Sequence, residues 1–236
     1  EQISLRQKLA KAQGGKEAIE LQHKKGRLTL RERIEILVDK DSFQEQGEIA
    51  GGSELNEKGE IESFTPANFI LGFAKINNKP VVVGGEDFTV KGGSPNPAGL
   101  RKSVYTEELA LQYKMPLVRL HEGGGRSVAG PAKSKNKGYG GDPVFSKSRF
   151  KSVADTLKEI PVVSAAVGPV AGLPAARFVA SHFRIMTKKT SQILVAGPAV
   201  VERAFGKLGK RMNKIFRGAQ DLYVAEDDFY KIYNFL

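Results

Sequence analysis

The chain contains no cysteine and only three histidines in 236 residues. Without cysteine there is no disulfide, no thiolate metal site and no cysteine nucleophile, a composition compatible with a reducing compartment. Long apolar runs are missing too. None approaches the roughly 20 residues that span a bilayer, and the opening "EQISLRQKLAKAQGG" lacks the apolar centre of a signal peptide. The chain starts on Glu1 rather than Met, which leaves room for a leading segment. No H-E-x-x-H, calcium loop, nucleophile elbow or paired-histidine spacing occurs, so no metal is expected. Neither a GK[ST]-ended phosphate loop nor a G-x-G-x-x-G opening a first βαβ unit is present, which argues against nucleotide hydrolysis and dinucleotide redox chemistry.

Acidic charge is scarce: 26 Asp and Glu face 37 Lys and Arg, a net charge of +11. In "RAFGKLGKRMNKIFR" there are six basic residues, Arg203, Lys207, Lys210, Arg211, Lys214 and Arg217, and no acidic one. Such a stretch favours an anionic partner such as RNA, an acidic protein, lipid head groups or a phosphate-bearing ligand; a solvated basic face is the plainer reading.

What is present is enough for a core, with 40% hydrophobic residues. "ISLRQKLAKA", "KEAIELQHKKG" and "TLRERIEILVD" read as helices, the last with Thr29 and Glu32 at capping-box spacing and Ile34, Leu37 and Val38 on one face. "FILGFAKINNKPVVVGGEDFTV" reads as two strands turning at the Asn pair. Lys91 to Leu100, rich in Gly and Pro, reads as irregular, before a helix from about Ser103 to Lys114. A strand "PLVRL", a glycine loop "HEGGGRSVAGP" and a long polar loop to about Ser146 follow. Residues 148 to 159 read as a helix with Phe150, Val153, Ala154 and Leu157 at helical spacing. Next come a strand Val162 to Val167, a helix from about Pro174 to Ser181, strands "FRIM" and "QILVAG", and a final helix in "AEDDFYKIYNFL". The repeated order of strand, glycine loop, helix and strand predicts an α/β domain with largely parallel strands and sites at the strand ends.

In "GPVAGLPAARF", residues 168–178, the backbone leaves a buried strand and enters a helix, where N–H groups lack intrahelical partners. Pro174 costs little in a first helical turn, so Gly172 and Leu173 are the candidate donors to an anion or a developing oxyanion. Gly123, Gly124 and Gly125 allow a second close backbone approach. Glu86 and Asp87 end a strand and are candidates for lining the same site, with Lys91 placed to meet an anionic ligand. His121 and His182 are the better placed histidines, fitted more to capping or support than to direct chemistry.

These blocks carry a resemblance. "GRLTLRERIEILVDKDSFQEQGEIAGG", "FTPANFILGFAKINNKPVVVGGEDFTVKGGS", "YKMPLVRLHEGGG" and "IPVVSAAVGPVAGLPAARFVASHFRIMTKKTSQILVAGPAVVERA" resemble the N-terminal half of the carboxyltransferase (β) subunit of biotin-dependent acyl-CoA carboxylases, from about residue 5 to 204. The resemblance implies a single crotonase-like (ClpP/crotonase) ββα-superhelix domain of α/β class over residues 41–236, preceded by an N-terminal helical segment, 1–40. It further implies acyl-CoA as substrate, its thioester oxygen held by backbone donors at Gly172 and Leu173 with Gly123 to Gly125 on the other glycine loop. Carboxybiotin would come from a partner in an oligomeric complex, with no cofactor bound covalently here. Such donors contribute on the order of 3 kcal/mol each to an enolate-like state. The implied location is the mitochondrial matrix in a eukaryote and the cytoplasm otherwise. Where the family carries an acidic, glycine-containing segment, this chain has "FGKLGKRMNK". Two other readings therefore stay open: an inactive, carboxyltransferase-derived structural subunit of a larger assembly, whether organellar, ribonucleoprotein or membrane-bound, and a free-standing crotonase-type CoA binder.

Overall fold

A computed structural model describes residues 2–124, 149–194 and 222–224. Gly125, the polar loop to about Ser146, the basic stretch from Arg203 to Arg217 and the C-terminal helix expected in "AEDDFYKIYNFL" lie outside the described residues. Three helices open the chain: α1 (Gln2–Lys11), α2 (Lys16–Lys24) and α3 (Leu30–Leu37). The expected capping box starts α3: the Thr29 hydroxyl accepts from the Glu32 N–H at 3.3 Å and the Glu32 carboxylate accepts from the Thr29 N–H at 2.6 Å. Strand β1 (Gln44–Glu45) is followed by a small separate hairpin, β2 (Gly51–Leu55) and β3 (Ile61–Pro66), which the sequence reading did not resolve.

The main sheet runs β1-β4-β5-β6-β7-β8-β10, with β9 also paired to β7. Strands β4 (Phe69–Ile76) and β5 (Lys79–Glu86) form the expected antiparallel hairpin. Its turn residues Asn77 and Asn78 both have positive φ, 51° and 63°, which asparagine tolerates better than most side chains. From β5 onward the pairings are parallel: β6 (Leu117–Gly123), β7 (Val162–Ala171), β8 (Phe183–Thr187), β9 (Gln192–Leu194) and β10 (Leu222–Val224). Helices α4 (Pro97–Tyr113), α5 (Arg149–Glu159) and α6 (Leu173–Val179) make the crossovers. This is the α/β, crotonase-like architecture expected.

Several boundaries differ from expectation: β7, expected over Val162 to Val167, runs on to Ala171 because after the break in its β8 pairing it pairs with β9 over Pro169 to Ala171. Helix α4 begins at Pro97 instead of near Ser103, because Asn96 caps it, accepting from the Gly99 N–H at 2.7 Å, and proline is well suited to a first helical position. Of the segment read as irregular, Lys91–Gly93 forms a 3₁₀ turn. Strand β6 continues through His121, Glu122 and Gly123, read earlier as loop, because the polar side chains are buried and find distant partners. On α5 the inward face is Ser152, Val153 and Thr156, while Phe150 is exposed.

Alternation along the strands gives the sheet two apolar faces. Ile70, Val81, Val83, Val118, Leu120, Val163 and Ala165 pack with Leu30, Ile34 and Leu37 of α3. Phe69, Leu71, Val82, Leu117 and Val162 pack with Leu109 and Ala110 of α4 and with Ile160. A third cluster joins Ala166 and Val170 of β7 to Ala175 and Phe178 of α6, with Met186 and Ile193. The same alternation decides which way each polar residue at a strand end points.

Candidate active site

The C-terminal ends of β5, β6 and β7 lie side by side, and three glycine-bearing segments meet there. In β7 the register against β6 runs Ala166 to His121 and then Val170 to Gly123, so four residues of β7 match two of β6. This irregularity falls on Gly168 and Pro169, where β7 also exchanges β8 for β9 as its other neighbour. A side chain at Gly168 would collide with the carboxylate of Glu122. The Lys91–Gly93 turn packs on the end of β6: a Cβ at Gly93 would lie 2.6 Å from the Glu122 carbonyl oxygen, and one at Gly123 would lie 2.9 Å from the Gly93 oxygen. Gly124 donates its N–H to Gly92 at 3.4 Å, and among the described residues a Cβ there would meet nothing within 4 Å.

Gly172 ends the bend with φ 69° and ψ −132°, a conformation strained for any L side chain, and heads α6. The first intrahelical bond runs from the Ala176 N–H to the Gly172 carbonyl at 3.0 Å. Within the helix, then, the N–H groups of Leu173 and Ala175 have no acceptor, and Pro174, its second residue, has no N–H to satisfy. Gly172 and Leu173 are both half-buried. Of the residues expected at this site, strand pairing sets Gly123 beside Val170, with Gly124 next along β6 and Gly172 and Leu173 following two and three residues after Val170.

The side chains at these strand ends behave differently from the backbone. Glu86, on the α4 face of β5, is buried and places Oε2 3.2 Å from Nδ1 of His121. His121 Nε2 lies 3.4 Å from the Ser164 hydroxyl, which lies 2.7 Å from the Ser181 hydroxyl. Asp87 is also buried; it accepts from the Thr89 N–H at 3.0 Å and the Thr89 hydroxyl at 2.6 Å. Burial pushes the Asp87 carboxyl above its ordinary range, against the opposing hydrogen bonds from Thr89 and the charge of Arg31. Both carboxylates thus reach the strand end with their oxygens turned into the fold. Lys91 is exposed in its turn, with φ 52°. His182 is at the opposite end of β7, where its Nδ1 accepts from the Val162 N–H at 3.1 Å and its own N–H donates to the Val162 carbonyl at 3.0 Å.

Two further buried clusters were not visible in the sequence. Glu122, on the α3 face of β6, accepts from Gln22 Nε2 at 2.7 Å, from Arg27 at 3.0 Å and from Arg33. Arg33 is fully buried and also donates to the Val167 carbonyl at 3.1 Å. On the other face, Glu107 of α4 accepts from Arg119 of β6 at 2.7 Å and from Arg177 of α6 at 2.8 Å. Burial lowers the Arg119 guanidinium to about 10, with the Glu107 charge opposing. Partners 12 to 134 residues apart leave no local signal in sequence.

Chemically, the described site offers backbone N–H donors at a glycine-lined opening, with Glu86, Asp87, His121 and Glu122 spent on holding the strand ends and Lys91 exposed. That suits a ligand oxygen that gains negative charge.

The carboxyl transferase domain family model matches residues 21–223. The chain is 32% identical to methylmalonyl-CoA decarboxylase subunit alpha of Veillonella parvula over 205 residues, covering 86% of this chain and 39% of that protein. It is likewise 32% identical to the propionyl-CoA carboxylase beta chain of Cereibacter sphaeroides over 204 residues, 86% of this chain and 38% of the other. It therefore spans less than half the length of these curated relatives. Among solved structures, the transcarboxylase 12S hexamer with methylmalonyl-coenzyme A bound aligns with a TM-score of 0.73 at 25% identity, over 98% of this chain and 45% of that one. The family model covers well over half of the chain, and this chain belongs to the carboxyl transferase domain family.

Proposed function

We propose that the chain is the acyl-CoA-binding half of a biotin-dependent acyl-CoA carboxyltransferase. The observation that carries this reading is Gly172 at φ 69°, heading α6 just beyond the pairing of Val170 with Gly123. The Leu173 N–H and the backbone at Gly172 would hold the thioester oxygen, and Gly123 and Gly124 would leave room for the thioester to lie against main chain. Negative charge grows on that oxygen as a base takes the proton from the α-carbon, and fixed donors favour that state over the bound substrate. Carboxybiotin, held by another part of the assembly, supplies the carboxyl group when bound. The described residues Glu86, Asp87 and His121 support the strand ends in this reading, and Lys91 is left to meet an anionic part of the ligand. Relatives are named as a decarboxylase and as a carboxylase, and adding or removing a carboxyl group on the carbon beside a thioester carbonyl passes through such an enolate in either direction. The assembly would be oligomeric, in a mitochondrial matrix or bacterial cytoplasm.

Titration calorimetry with propionyl-CoA and with free CoA tests this. The parent should bind the thioester more tightly than free CoA, and Gly172→Ala should weaken thioester binding about tenfold, since an L residue at φ 69° and ψ −132° costs roughly 1–3 kcal/mol and relieving that strain shifts the donors. No thioester preference in the parent, or an unchanged affinity in the variant, overturns the assignment. The net charge of +11 supports a second reading, an inactive structural subunit on an anionic partner. Salt-sensitive copurification with RNA, without thioester binding, would favour it.

A further inference from the structure

We propose that Glu122 is a positioning residue through which the N-terminal helices set the geometry of the glycine-lined opening. The inference rests on the acyl-CoA reading for its ligand, but its structural core stands apart from it. Glu122 immediately precedes Gly123 and Gly124 in the chain, and its carboxylate covers Gly168, where β7 leaves its register with β6. One side chain therefore touches both segments that frame the opening.

The carboxylate is 1% exposed and takes its donors from Gln22 on α2, Arg27 in the connection, and Arg33 on α3. Arg33 also donates to the Val167 carbonyl, one residue before Gly168, so the same guanidinium holds the carboxylate and the main chain it covers. The neighbouring strand end is held from the same side: the Gly14 N–H, between α1 and α2, donates to the Thr89 hydroxyl at 3.0 Å. Arg27 stands 5.4 Å over the Phe88 ring. The helices thus fasten β5 and β6 at the ends where the opening lies. With three donors on two oxygens, a buried carboxylate has one low-energy position, which fixes the path of Gly123 and Gly124 on one side and Gly168 on the other.

A residue that only stabilises the fold would lower stability without altering the opening. The test compares Arg33→Met with Leu37→Ala in the full chain. Leu37 lies on the same helix, buried in the core away from Glu122. Both variants should unfold at lower temperature. Only Arg33→Met should raise hydrogen exchange of the Gly124 amide, about tenfold at a temperature well below unfolding, and weaken propionyl-CoA binding by a similar factor. Arg33→Lys, which restores a cation beside Glu122, should recover part of both losses. If Arg33→Met does not fold, Arg27→Met removes one donor at a partly exposed position and should give the same pattern at smaller size. Unchanged Gly124 exchange in the arginine variants, or an equal rise in Leu37→Ala, overturns the proposal. Should the parent bind no acyl-CoA, the functional reading fails while the exchange comparison still decides the role of Glu122.

Discussion

Removing one charge from the Glu107 cluster while keeping its shape isolates what that charge contributes. Glu107 is 1% exposed, and both of its bonds, from Arg119 Nη2 and Arg177 Nε, arrive on Oε1. Oε2 has no hydrogen-bond partner among the described residues. A glutamine can therefore put its carbonyl at the Oε1 position and its amide at the other, retaining both bonds and losing only the negative charge. Two guanidiniums, 3% and 4% exposed, are then left without that counter-charge. Taking one partner from a buried ion pair costs about 3–5 kcal/mol, and with both bonds retained Glu107→Gln belongs near 3. Glu107→Leu also strips the acceptor from both arginines and belongs at about 5 or beyond. For a domain of this size about 3 kcal/mol lowers the unfolding midpoint by roughly 6–12 °C. Urea unfolding at neutral pH, followed by circular dichroism, gives the free energies directly. The deficit should persist at high salt, since buried charges are screened far less than exposed ones. A Glu107→Gln protein within about 0.5 kcal/mol of the parent would refute the reasoning, because the bonds alone would then account for the cluster.

Asp87→Asn should behave oppositely, and with pH. The folded carboxyl titrates above its unfolded value, so the native state binds more protons between about pH 3.9 and that raised value, and stability falls as pH rises through the window. Asparagine keeps the acceptor for Thr89 without the buried charge. Its stability relative to the parent should therefore be greater at pH 7 than at pH 4, and a pH-independent difference in urea midpoints contradicts this. At the start of α3, Thr29→Ala removes the acceptor for the Glu32 N–H and should cost about 1 kcal/mol in the same assay; a change below a few tenths would mean that packing alone holds the helix end.

Local signals were readable in the sequence wherever the cause was local. The Thr29 and Glu32 capping box, the Asn77–Asn78 turn and the glycine ahead of α6 each depend on residues within a few positions of one another. Pro97 misled because a proline-rich stretch reads as irregular until its asparagine cap is recognised at Asn96. His121 and Glu122 misled differently: polar residues after "PLVRL" look like the exit of a strand, and distant partners, Glu86 and Ser164 for one and Gln22 and the N-terminal arginines for the other, make them part of it. The same limit applies at the site. That Glu86 and Asp87 end a strand follows from their position, while the inward direction of their carboxylates follows from the face each occupies and from partners elsewhere in the chain.

The bend in β7 also constrains how this chain can change length. Between the His121 and Gly123 pairings, β6 advances by two residues and β7 by four, both even, so the two strands leave the bend facing the same sides on which they entered. Adding or deleting a single residue around Gly168 and Pro169 would turn Val170 away from Phe178 and Met186 and rotate Gly172 off the head of α6. Paired insertions and deletions keep both faces, so this segment should drift in length only by twos.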